Sequence, residues 1–106
     1  MTLDDALAAW LSHLSAERRL SAKTLDAYAR DIRQFLAHRA GRTGATPTLD
    51  ELSALRPGDI RAFLSERRAK DIDSRSLMRQ LAGCRSFFRF IERQGLGAAS
   101  VFTTIR

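Results

Sequence analysis

The stretch SRSLMRQLAGCRSFFRFIERQG, residues 74–95, permits few shapes. Wound at about 100° per residue, Leu77, Leu81, Cys84, Phe88 and Ile91 fall within an arc of roughly 80°, with Phe87 beside it. Arg75, Arg79, Arg89 and Arg93 fill a similar arc on the opposite side, with the small residues Ala82 and Ser86 between them and Arg85 on the flank. Only a helix separates the two sets this cleanly. One side must then be buried in a core, while the stretch as a whole carries five arginines against a single acid, Glu92.

The same period runs through the rest of the chain. Thr2 with Asp5 three residues on reads as a capping box, and Leu3, Leu7, Trp10, Leu11 and Leu14 follow at helical spacing, so a first helix is predicted from Leu3 to about Glu17. Ser21 is the N-cap of a second helix whose stripe is Leu25, Tyr28, Ala29, Ile32, Phe35 and Leu36, with Gly41 as the expected stop. Thr48 and Glu51 suggest a capping box on a short helical turn. Pro57 suits the first position of a helix whose core side is Ile60, Phe63 and Leu64. A polar connector, DIDSRS, leads to the last helix, from about Ser74 to Gln94, and the tail AASVFTTIR has no clear assignment. No alternating strand pattern and no internal repeat occurs. The fold class is therefore all-α: a compact bundle of four main helices plus a short helical turn, forming one domain over residues 1–106.

Charge narrows the function. The net charge is +6, and residues 74–106 hold six arginines and one acid, or +5 of it. The first twenty residues are slightly acidic. A polyanionic partner should therefore meet the C-terminal part. The second helix repeats the theme: its apolar stripe is opposed by Lys23, Ala27, Arg30 and Gln34. Small residues let a helix backbone approach a major groove about 12 Å wide, while Arg, Lys, Gln, Ser and Thr supply donors to phosphates and base edges. Arginines opposite an apolar stripe also fit plain solvation. The near-absence of acids favours nucleic acid, because solvated faces usually mix signs for pairing one turn apart.

Other chemistry is thin. Tyr28, the only tyrosine, lies on an apolar stripe and reads as a packing residue. His13 and His38 are far from each other and from Cys84, so no metal spacing exists, and Cys84 reads as a small buried apolar residue. Asp4 with Asp5, and Asp71 with Asp73, read as cap and turn residues. There is no Gly-rich phosphate loop, no cofactor is expected, and no set of acid, base and nucleophile is in reach of one another. No apolar run is long enough for a membrane span, and the N-terminus lacks signal-peptide character. A lone cysteine fits a reducing compartment, so cytoplasm is the expected location.

Three segments in order resemble Xer-type tyrosine recombinases. LSAKTLDAYARDIRQFL is similar to their L-S-x-x-T-x-x-x-Y-x-x-D-[IL]-x-x-F signature. SRSLMRQLAGCRSFFRFIERQG resembles their later Arg- and Phe-rich helix, with Ser76, Arg79, Leu81, Ala82, Arg85, Phe87, Phe88, Phe90 and Ile91 matching. LDELSALRPGDIRAFLSERR resembles the segment between. The resemblance runs from about Leu3 to Gly95. One departure is the tail GAASVFTTIR, which lacks the proline that usually follows the last helix and so opens the question of the chain's exit path.

The resemblance implies an N-terminal, SAM-like core-binding domain of an integrase of the XerC-like kind, one half of a clamp around double-stranded DNA. Its second and last helices would lie against the major groove. The catalytic domain would follow in cis and is absent from this chain, so the chain alone would be no enzyme. Neighbouring protomers in a synaptic complex would be further partners, met by the acidic first helix, and chromosome dimer resolution is among the family's tasks. Carried over position by position, DNA contact falls to Lys23, Thr24 and Arg30 on the second helix, and to Ser74, Arg75, Ser76, Arg79 and Arg85 on the last. Ser74 and Ser76 sit where free N–H groups at a helix start favour phosphate. Replacing Arg75 and Arg79 by Ala is expected to remove most duplex binding with melting nearly unchanged. The alternative is a helical protein-interaction module with an acidic partner.

Overall fold

The computed structural model describes residues 1–97, and every helix in it but the fourth begins at a residue whose side chain caps it. Helix α1 (Leu3–Ala16) starts with a reciprocal box: the Thr2 hydroxyl accepts the Asp5 N–H at 3.1 Å, and the Asp5 carboxylate accepts the Thr2 N–H at 3.0 Å. Helix α2 (Ala22–Thr43) is capped by Ser21, whose Oγ accepts the Thr24 N–H at 3.2 Å. The short α3 (Leu49–Ser53) repeats the box through Thr48 and Glu51, and α4 (Pro57–Ala69) opens with Pro57. Helix α5 (Ser74–Arg93) is capped by Asp73, which accepts the Ser76 N–H at 2.7 Å. The expected all-α architecture of four main helices and a short turn is present.

One boundary differs from the sequence reading. Helix α2 passes through Gly41 and ends at Thr43, and Gly44 takes the left-handed cap conformation with φ 88°. A glycine inside a helix costs only about 1 kcal/mol, whereas a left-handed cap strongly favours a residue without a Cβ. The second glycine therefore terminates the helix and the first is tolerated. The exit path of the tail, residues 98–106, lies outside the described residues.

Helix α5 is the spine. Its predicted stripe of Leu77, Leu81, Cys84, Phe87, Phe88 and Ile91 is buried throughout, and burial pushes the Cys84 thiol far above its ordinary range. Helix α2 lies antiparallel beside it, with Asp31 opposite Arg79 and Gly83, and Gln34 opposite Gln80. Helix α1 runs parallel to α5 and packs its Trp10 edge-on against Phe87, ring centroids 5.4 Å apart. Trp10 also stacks on Tyr28 at 6.3 Å and donates its indole N–H to Ser86 Oγ at 3.0 Å, joining three helices at one ring. Helix α4 closes the other side: Phe63 meets Phe35 edge-on at 5.1 Å, and Asp59 holds Arg39 at 3.2 Å. No helix among the described residues is long and apolar enough to cross a membrane.

Phe88 is fully buried between α2 and α5, so Phe88→Ala should cost about 3–5 kcal/mol in urea unfolding. The Asp73 carboxyl is held below its ordinary value of 3.8, first by the Ser76 backbone N–H. A depressed acid contributes stability that is complete above 3.8 and is lost as pH falls through the lowered value. Asp73→Asn, which caps without titrating, should therefore flatten the acid-side fall in stability in unfolding curves taken at successive pH values.

Candidate nucleic-acid interface

Helices α2 and α5 pack against each other along one seam, and each keeps an exposed side. Lys23 and Arg30 are exposed on α2, and Ala27 and Gln34 are half-buried between and beyond them. On α5, Ser74, Arg75, Arg79 and Ala82 are exposed and Ser76 is half-buried. Lys23, Arg30 and Arg75 make no ion pair with the described residues. Cationic side chains are thus exposed on both of the helices that pack at this junction.

Two carboxylates engage this surface. Asp73 spends its acceptor on the first turn of α5, so the Ser76 N–H is committed to the cap and is not an open donor. Asp31 lies beneath the seam with its side chain 1% exposed, and its Oδ1 accepts from Arg79 Nη2 at 3.0 Å, while the Arg79 side chain stays 53% exposed. Asp31 Oδ2 is buried without a partner among the described residues. It lies 3.5 Å from the position a Cβ on Gly83 would take, an ordinary contact distance, so the carboxylate packs directly against the α5 backbone. Beside it, buried Gln80 donates from Nε2 to Gln34 Oε1 at 2.6 Å and to the Asp31 carbonyl at 3.4 Å.

Thr24 is half-buried, and its Oγ1 accepts from the Ser21 hydroxyl at 3.0 Å, so it serves the helix start as well as the surface. Arg85 is half-buried and already has an interaction partner, and it projects roughly 120° around α5 from Arg79. The structure ties Arg79 of α5 to α2 through Asp31, leaves Lys23, Arg30 and Arg75 exposed on the same two helices with Ser74 and Ser76 at the start of α5, and sets Arg85 apart. Ser86, placed by its phase among the arginines, instead accepts the Trp10 indole N–H. Arg89 and Arg93 line a separate open crevice of about 210 Å3 with Trp10, His13, Arg18 and Tyr28. Among the described residues no three His, Cys, Asp or Glu side chains gather to hold a metal ion.

Residues 7–95 match the family described as phage integrase, N-terminal SAM-like domain. The chain belongs to this family. Its similarity to curated proteins named tyrosine recombinase XerC spans nearly its whole length. It is 54% identical to the one from Methylobacterium sp. (strain 4-46) over 102 residues, 96% of this chain and 32% of the relative. It is 57% identical to the one from Nitrobacter winogradskyi over 97 residues, 92% of this chain and 30% of the relative. The chain thus spans about a third of the length of the curated relatives it matches. No solved structure matches it.

In this SAM-like domain, sequence reasoning missed what supports the donors. Asp31 carries a signal: it is an acid at the edge of an apolar stripe and stands where the recombinase signature has Asp. Gln80 and Gly83 show theirs only by helical phase, on the side of α5 that turns out to face α2. Asp31 also changes one expectation. Arg79→Ala would strand a buried carboxylate, so melting should not stay unchanged. A loss of about 1–3 kcal/mol is expected in urea unfolding, against less than about 0.5 kcal/mol for Arg75→Ala.

Proposed function

We propose that this domain binds double-stranded DNA as the N-terminal half of the clamp of a tyrosine site-specific recombinase. The observation that carries the reading is that α2 and α5 pack together through Asp31, Arg79, Gln34 and Gln80 while Lys23, Arg30, Arg75 and Arg79 stay exposed on them. Asp31 engages this seam from beneath and Asp73 caps one end, while exposed Asp26 stands one turn from Lys23 and Arg30 on α2. Phosphates would meet the exposed cations and release counterions, and the small Ala27 and Ala82 would let the backbones approach a groove. The name borne by the relatives supports assigning catalysis to the rest of a longer protein. By this reading residues 1–106 form a single DNA-binding domain with no catalytic activity of its own. Neighbouring protomers would be further partners, met through the exposed acidic first turn of α1 with Asp4 and Asp5. Resolution of chromosome dimers in the cytoplasm is the corresponding task.

The test is duplex binding by fluorescence anisotropy across a salt series. Affinity at physiological salt should be micromolar for half a clamp, falling about 0.9 log units per log unit of salt for each phosphate contacted. Arg30→Ala with Arg75→Ala, two exposed positions without ion pairs, should reduce that slope by about 1.8 and affinity about tenfold or more, with unchanged far-UV circular dichroism. Equal binding by this variant would reject the seam as the interface. Failure of the wild type to bind any duplex, with capture of an acidic peptide instead, would favour a protein-interaction module.

A further inference from the structure

Two side chains on the seam have their hydrogen-bonding polarity fixed from below. Gln80 is almost fully buried and touches the Asp31 carbonyl, which can only accept. The Gln80 Nε2 must therefore face that carbonyl, and its second N–H meets the oxygen of Gln34 at 2.6 Å. With its oxygen committed to Gln80, half-buried Gln34 keeps its NH2 group as the amide end that no described residue is shown to take. An amide that could otherwise be flipped, offering either donor or acceptor, is locked as a donor.

Arg79 is fixed in the same way. Asp31 Oδ1 takes one N–H of its Nη2 at 3.0 Å, and the guanidinium remains half in solvent with its other N–H groups unspent on the described residues. Gln34 follows Asp31 by one helical turn and Arg79 precedes Gln80 by one residue, so both donors stand on one short length of the junction. No acceptor is directed outward by either.

We infer that Gln34 and Arg79 form a donor-only reading head that selects guanine in the major groove, with Asp31 and Gln80 as its positioning residues. This rests on the duplex-binding reading above. Among base edges in the major groove, only guanine presents two adjacent acceptors, N7 and O6, and a guanidinium meets that pair in a bidentate way. Cytosine offers only a donor there, and adenine places a donor beside its N7. A head made only of donors is repelled by one and half-satisfied by the other. The outer cations Lys23, Arg30 and Arg75 carry no such constraint and suit phosphates.

The test selects duplexes from a randomised pool with the 106-residue chain. It then compares the best duplex with the same duplex carrying 7-deazaguanine, which lacks the N7 acceptor. Wild type should enrich guanine at a fixed position and prefer the unmodified duplex about tenfold. Gln34→Ala, a half-exposed change, and Arg79→Lys, which keeps the charge but loses the fork, should each shrink that ratio to about twofold or less. Asp31→Asn should shrink it too, and should shrink it no further in an Arg79→Lys background, an outcome that a purely structural role for Asp31 would not give. Duplex binding with no guanine preference, or with a preference untouched by these variants, overturns the inference and leaves the interface standing. Absence of duplex binding overturns both.

Discussion

The antiparallel contact between α2 and α5 is the constraint on which the molecule rests. At Gly83 there is room between the helices for a carboxylate from the opposite one, at ordinary contact distance from where a Cβ would sit. Asp31 fills that room and would be costly there by itself, since a buried charge must be paired and hydrogen-bonded. Arg79 reaches over from α5 to supply the partner, and Gln80 and Gln34 interlock beside it. A small polar cluster thus sits at the edge of an otherwise apolar core and sets how the two helices face each other. The cationic side chains Lys23 and Arg30 of one helix and Arg75 and Arg79 of the other are exposed on the two helices that this cluster aligns.

The apolar side of the same arrangement supplies the stability. Phe35, Phe63, Phe87 and Phe88 meet edge to face through the centre, and Trp10 brings α1 against both α2 and α5. Such packing fixes the helices against one another and so fixes the spacing of the side chains on the far side. The buried His38 takes part in this frame, its Nδ1 2.6 Å from Glu66 Oε2 and its ring edge-on to Phe63, which ties α2 to α4. It is a fastening between helices.

Much of this could be read from the residues before any coordinates. The 3.6-residue period located all four main helices, and Thr2, Ser21 and Thr48 marked starts to within a residue because caps are local chemistry. Helix ends were harder: Gly41 and Gly44 are both plausible stops, and only the backbone conformation distinguishes them. The cationic surface was legible as two separate faces, since phase alone gives which side of a helix a residue takes. What phase could not give was the pairing of helices. Ser86 shares a face with the arginines yet belongs to Trp10, and Asp31 looks like any acid until Arg79 and Gly83 arrive from a segment nearly fifty residues away.

The junction at Trp10 has an optical consequence. The chain has one tryptophan and one tyrosine, and the fold stacks them on each other. The indole is buried, hydrogen-bonded to α5, and borders the crevice that Arg18, Arg89 and Arg93 enclose. Its emission therefore comes from a single, uniquely placed chromophore that senses three helices at once. Colour and intensity of that light register both the assembly of the bundle and any anion that settles against its wall, with no label attached.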